Sequence, residues 1–227
     1  MVLSLGQDFR ALLNPRAAFR EPPPSLSGAF GRMVLVWMPL AFLQALGILW
    51  QVLQGYGALR RGGTLVALGA RLGLDPEGLR DFLGALPSPP GFGQLWPWLL
   101  VLVPLGVMGA WLHHAVWDHV GLWLLRGVRR EGGFRLSLLA EAEALRVTAL
   151  GNLAGLLSFL PWVGALVALP MMLLDAYLWL FRGVALAARH GCPLWKGVAA
   201  TILHAALLGV CGLGLLMLMV SMLGLHP

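Results

Sequence analysis

Hydrophobic positions in this chain fall in long unbroken runs, and polar positions gather between them. Met33 to Leu53 carries no charge, Leu95 to Leu112 continues the pattern toward Leu125, and Val147 to Leu174 and Val198 to Leu225 are two further charge-free runs. A helix crossing a bilayer needs about 20 mostly apolar residues, so each run has the length of a span. The Val147 to Leu174 run is too long for one straight helix and is interrupted by Pro161, Gly164 and Pro170. Proline within a helix ends or kinks it, which predicts two antiparallel spans joined by the PWVG turn.

The fold class expected is therefore all-α, a polytopic helical bundle. Its five spans are predicted at about 33–53, 95–117, 144–160, 163–181 and 198–222, the alternative being four spans plus a re-entrant segment. Residues 1–30 form an N-terminal cytoplasmic or interfacial segment, and 31–227 the membrane domain.

Two flanking stretches show helical periodicity with one apolar stripe. In VLSLGQDFRALL the stripe is Val2, Leu5, Phe9, Leu12 and Leu13. In DPEGLRDFLGAL it is Leu79, Phe82, Leu83 and Leu86, behind Asp75 as N-cap and Pro76 at the first helical position. Both predict short helices lying in the headgroup plane or covering the bundle ends.

Composition supports a lipid solvent. Of 227 residues, 59% are hydrophobic and 11% charged, against about 45–50% and about 25% in soluble domains. That leaves too little polar surface for a water-soluble fold of this size. The N-terminus has neither a long apolar core nor a small-residue cleavage site and is not read as a signal peptide. Cys192 and Cys211 have no CxxC partner, which argues against a disulfide framework or a zinc knuckle.

The net charge of +6 comes from basic residues set in short clusters between the apolar runs. That placement suits anionic lipid headgroups or an acidic protein partner and excludes a nucleic-acid surface. With five spans, twelve basic residues fall on the N-terminal side: Arg10, Arg16, Arg20, Arg32, Arg126, Arg129, Arg130, Arg135, Arg146, Arg182, Arg189 and Lys196. Only Arg60, Arg61, Arg71 and Arg80 fall on the other. Four spans would divide them nine to seven. Basic loops favour the cytoplasmic side, so the count predicts an inner-membrane protein with a cytoplasmic N-terminus and a periplasmic C-terminus.

Candidate chemistry lies in the few polar residues of the runs. In LHHAVWDHVGLWLL, His114 and Asp118 are four apart and share a helix face, while His119 points elsewhere. They offer two metal ligands where a zinc site needs three or four. The first expectation is instead that this stretch is the wet end of span two.

Asp175 is an intramembrane carboxylate, expected to pair with His204 or Asn152. Gly151 and Gly155 in GNLAG give a small-residue face for close helix packing, with Pro161 making the turn after it. Packing within the chain comes first, and a homo-oligomer is the alternative. Glu141 and Glu143 sit among arginines and are expected to be solvated. Arg126, Arg129, Arg130, Arg135, Arg182, Arg189 and Lys196 are expected to face lipid or a partner. No nucleophile elbow, phosphate loop, metalloprotease motif or dinucleotide fingerprint occurs, so neither an enzyme nor a cofactor is expected.

The order of features resembles the Yip family, the Ypt/Rab-interacting membrane proteins. The likeness runs through NPRAAFREPPP before the first span, GGFRLSLLAEAEALRVTAL leading into the third, and FLPWVGALVALPMMLLDAYLWLFRGVALAARHGCPLWKGVAATIL thereafter. Its most telling pieces are Asn14-Pro15-Arg16, Gly132-Gly133-Phe134, Pro161, and Gly183 with His190. The resemblance implies a five-span bundle with a cytoplasmic N-terminus and an adaptor type of function. The Arg-rich, Lys-poor composition looks like that of a bacterial member. The expectation is thus a non-enzymatic membrane scaffold or adaptor, and the alternative a small transporter with a polar path around Asp175, His204 and the His114/Asp118 pair.

Overall fold

The computed structural model describes residues 10–15, 19, 24–160 and 163–222, with the side chains at 150–152, 158, 164, 165 and 220 outside the description. The described residues form helices and turns, with no strand among them.

Helix α1, Leu26–Arg61, starts where the Ser25 hydroxyl accepts the Gly28 amide at 3.1 Å, and stops at Gly62, whose φ of 71° suits glycine. Helices α2, Gly63–Arg71, and α3, Pro76–Ala85, make a small hairpin beyond its end. Asp75 caps α3 by accepting the amides of Glu77 and Gly78, with Pro76 first in the helix, as the spacing predicts. The short α4, Phe92–Leu95, and a 3₁₀ turn at Trp96–Trp98 lead into α5, Leu99–Leu124. Then come α6, Gly133–Gly151, a 3₁₀ segment Asn152–Phe159, α7, Val163–His190, and α8, Leu194–Met222.

Four helical segments are long and apolar enough to cross a membrane: Leu26–Arg61, Phe92–Leu124, Leu166–His190 and Leu194–Met219. Their outward faces are apolar, with Leu105, Leu166, Val210 and Met217 all more than half exposed. Water would penalise such surfaces, and hydrocarbon does not. The described residues have the build of an all-helical protein with four helices fit to span a membrane.

The predicted third span is where sequence and structure differ. Over 144–160 the chain completes α6 and then tightens into the 3₁₀ segment. Arg135, Glu141, Glu143 and Arg146 make α6 the most charged of the long helices, and it is not among the four apolar segments. Yet it lies at the centre of the bundle, against α1, α5 and α7. Leu139, Ala142 and Leu145 pack toward Met33, Val107 and Trp111, and Ala140, Ala144 and Val147 toward Leu122, Phe181 and Ala200. With both sides covered by protein, α6 keeps its polar groups out of lipid, where unpaired charge is costly.

The outer helices close on α8 through small residues. A Cβ on Gly183 would lie 2.7 Å from the Gly197 carbonyl oxygen, and one on Gly121 2.8 Å from that of Ala200. The backbones of α5 and α7 touch α8 where no side chain intervenes, the close packing that lipid-embedded helices favour.

The helix expected over the first N-terminal stripe lies mostly outside the described residues. Residues 10–13 are helical, and the Leu12 carbonyl accepts a hydrogen bond from the Tyr177 hydroxyl.

Candidate functional site

Four helices each contribute one polar side chain to a single buried cluster. Asp118 comes from α5, Glu141 from α6, Arg182 from α7 and His204 from α8. Asp118, Glu141 and His204 are 0% exposed and Arg182 is 3% exposed. Arg182 Nε donates to both Glu141 oxygens, at 3.3 and 3.2 Å, and its Nη2 donates to Asp118 Oδ2 at 2.7 Å. His204 Nδ1 lies 2.6 Å from the other Asp118 oxygen. The guanidinium carbon stands 4.5 Å from the ring centroid of Trp179, a cation–π contact.

Each of these residues would be expensive to bury alone, and together they compensate one another.

The cluster reaches the outer face of α5 through two imidazoles. His204 Nδ1 donates to Asp118, so Nε2 of the neutral ring is free to accept from His113 Nε2, 3.3 Å away. His113 is exposed. His114 packs beside them, its ring edge-on to both His204 and Trp179 at 5.5 Å, and its Nδ1 has no hydrogen-bond partner among the described residues.

Two further polar links tie α6 to its neighbours. Arg189 grips Glu143 with both prongs, Nε to Oε2 at 2.6 Å and Nη2 to Oε1 at 2.7 Å, both residues being buried. Ser137 Oγ sits 2.9 Å from His119 Nδ1 and 2.9 Å from His190 Nε2. The Arg129 amide donates to His190 Nδ1 at 3.2 Å. That bond puts the proton of a neutral His190 on Nε2, so the Ser137 hydroxyl oxygen accepts from it.

Several expectations need correction. Asp118 is not at a wet helix end; it is fully buried at the centre of the cluster, paired with Arg182 and His204 from helices distant in sequence. Glu141 and Glu143 are buried and paired, not solvated, since α6 is enclosed. Arg182 and Arg189 face inward to those acids and not to lipid or a partner. The acid that meets His204 is Asp118, while Asp175 is exposed.

Of the remaining candidates, the Asn152 and Gly151 side positions and all of Pro161 lie outside the described residues. Gly155 faces Gln44 of α1 and Met171 of α7, within one chain. Arg126, Arg129, Arg130 and Arg135 are exposed, and Lys196 donates from Nζ to the Arg126 carbonyl at 3.0 Å. For His114 and Asp118 as metal ligands, no group of three or more His, Cys, Asp and Glu among the described residues could hold a metal ion.

Sequence reasoning missed Glu141 and Arg182 as partners. The available signal was that Asp118, Glu141, Arg182 and His204 are ionisable groups on four of the long helices, and such groups need one another in lipid. Comparison with protein-family models, with curated proteins and with solved structures finds no match.

Proposed function

We propose that the chain is a non-enzymatic polytopic inner-membrane protein, a scaffold or adaptor of the kind the Yip resemblance implies, which offers one basic end to anionic headgroups or an acidic partner. The observation that carries this reading is the division of charge. The internal acids are matched by Arg182 and Arg189, while at one end exposed basic residues outnumber the acids, with Glu131 bridging Arg129 at 3.6 Å. There the α5–α6 and α7–α8 connections are tied together by Lys196 on the Arg126 carbonyl, and Arg126, Arg129, Arg130 and Arg135 are exposed. At the other end, Arg60, Arg61, Arg71 and Arg80 are mixed with Asp75, Glu77 and Asp81.

Five crossings fit this reading better than four. Residue numbers rise along the α6 limb as they fall along α7, in the contacts Ser137 to His190, Glu141 to Arg182 and Gly155 to Met171. The two limbs therefore run side by side, and a bilayer crossed by α7 is crossed by its neighbour. With its 3₁₀ segment, the 19-residue α6 and the 8 residues after it extend about 44 Å, more than the roughly 30 Å of hydrocarbon. The basic end is then cytoplasmic by charge bias, with the N-terminus on that side and the C-terminus periplasmic. The α3 hairpin lies at the periplasmic headgroups.

The test uses the full chain in sealed vesicles. A cysteine replacing Glu131 should react from the N-terminal side and one replacing Leu160 from the far side. Arg129→Gln with Arg130→Gln should weaken the salt-sensitive recruitment of a soluble partner to those vesicles. Labelling of both cysteines from one side, or recruitment indifferent to salt and to both arginines, removes the reading.

A second reading, a proton-coupled transporter, is favoured by one observation: the hydrogen-bonded series from exposed His113 through His204 to buried Asp118. Proton flux in vesicles that His204→Gln abolishes would select it. An absence of flux in the unaltered chain would discard it.

A further inference from the structure

Helices α1 and α5 do not close against each other along their full length. Two cavities lie between them, of about 640 and 490 Å³. On α1, Ser27, Phe30, Val34 and Met38 follow one another at helical spacing, and on α5, Trp111, Met108, Pro104 and Leu100 do the same. The cavities therefore lie one after the other along the α1–α5 groove, with the Phe30 and Trp111 rings packed 4.8 Å apart at the outer one. Pro39 and Pro104 both line the deeper part from opposite walls, and a proline clashes with the carbonyl four residues back, which keeps such walls from straightening into contact. From Ser27 to Met38 the α1 wall rises about 16 Å, the depth of one leaflet in a hydrocarbon layer of roughly 30 Å.

The two ends of the groove differ in chemistry. The deep part is lined by apolar side chains alone. The mouth presents the hydroxyls of Ser25 and Ser27 and the guanidinium of Arg135, which is exposed and carries no ion pair among the described residues. It also holds the start of α1, a helix of 36 residues with no acidic residue in its first turn, whose free amides and dipole favour an anion. Among the described residues, no carboxylate lines either cavity.

We propose that this groove seats one anionic glycerophospholipid of the leaflet at the Arg135 end, with its phosphate on Arg135 and the Ser25 and Ser27 hydroxyls, and an acyl chain between Val34, Met38, Leu100 and Pro104. An apolar helix from a protein partner would fill the deep part but leave the basic mouth unmatched. A zwitterionic lipid would bring a cation to a mouth where no acid among the described residues receives it. The inference rests on the membrane-spanning reading above.

Native mass spectrometry of the full chain in detergent, titrated with phosphatidylglycerol or phosphatidylcholine, tests it. The unaltered chain should retain one phosphatidylglycerol with about tenfold preference over phosphatidylcholine. Arg135→Gln should abolish that preference, and Arg130→Gln, outside the groove, should preserve it. Leu100→Trp, at a position already 57% exposed, should block the groove and weaken both lipids, with an unchanged thermal midpoint in phosphatidylcholine micelles confirming an intact fold. Equal binding of the two lipids, equal effects of Arg130→Gln and Arg135→Gln, or undiminished binding after Leu100→Trp overturns the proposal. A chain that inserts into vesicles yet shows no preference overturns the lipid site alone, whereas one that does not insert overturns the membrane reading beneath it.

Discussion

Arg182 Nη2 and Asp118 Oδ2 meet at 2.7 Å although the residues are 64 positions apart in the chain. Through this contact, and the Glu141 bond on the other side of the guanidinium, α5, α6 and α7 are locked by one side chain. Removing one member of a buried ion pair leaves the rest uncompensated, at about 3–5 kcal/mol. Arg182→Met should therefore destabilise the bundle by about that amount, measured by denaturant titration in mixed micelles. Adding Asp118→Asn and Glu141→Gln should restore much of the loss, because the stranded charges are then gone. A triple variant as unstable as the single one would mean that Arg182 acts through packing and not through charge.

The Glu143 and Arg189 pair should behave as a unit. Its two hydrogen bonds of 2.6 and 2.7 Å form a fork on a carboxylate, a geometry that lysine does not reproduce. A double-mutant cycle over Glu143→Gln and Arg189→Met should give a coupling within the roughly 0.5–3 kcal/mol found for contacting residues. Arg189→Lys should recover only part of the stability. Independent, additive losses would show that the two side chains do not depend on each other.

How much of this was legible in the sequence depends on the range over which each feature is determined. The Asp75 cap and Pro76 start of α3 are local, and the spacing alone locates that helix. The charge-free runs of α1, α5 and α8 read directly as long apolar helices. Glu141 and Glu143 read as solvated because their own neighbours in sequence are charged. What buries them is Arg182 and Arg189, 41 and 46 positions away, and no local period reports a partner at that distance. The GNLAG spacing is visible in the sequence among 30 glycines, while the contact of Gly183 with the α8 backbone depends on how two helices cross.

Asp175 and His204 should separate cleanly in a stability assay. Asp175 is exposed within the apolar span Leu166–His190 and belongs to no buried pair, so Asp175→Asn strands no partner and, by putting a neutral amide where a carboxyl meets lipid, should leave stability unchanged or raised. His204→Leu should cost about 1–3 kcal/mol, because it strips Asp118 Oδ1 of a 2.6 Å bond inside the cluster and leaves a buried acceptor unsatisfied. Thermal unfolding of the two variants in the same detergent makes the comparison, and equal losses would restore Asp175 as a partner in the interior.

Gly183 sets the distance between α7 and α8. A Cβ there would stand 2.7 Å from the Gly197 carbonyl oxygen and 2.7 Å from the Val198 Cα, both backbone atoms that no rotamer change can move aside. Gly183→Ala must therefore push the helices apart, and overpacking of this kind costs about 1–3 kcal/mol. The strain should extend to the charged cluster, because Arg182 is the adjacent residue and His204 lies on the helix being displaced. Gly209→Ala, also on α8 but with nothing within 4 Å of the added carbon, serves as the control and should leave stability unchanged or slightly raised, since alanine favours helix over glycine. Unfolding midpoints measured together decide the matter: a Gly183→Ala midpoint no lower than that of Gly209→Ala would mean that α7 and α8 do not approach as closely as this packing requires.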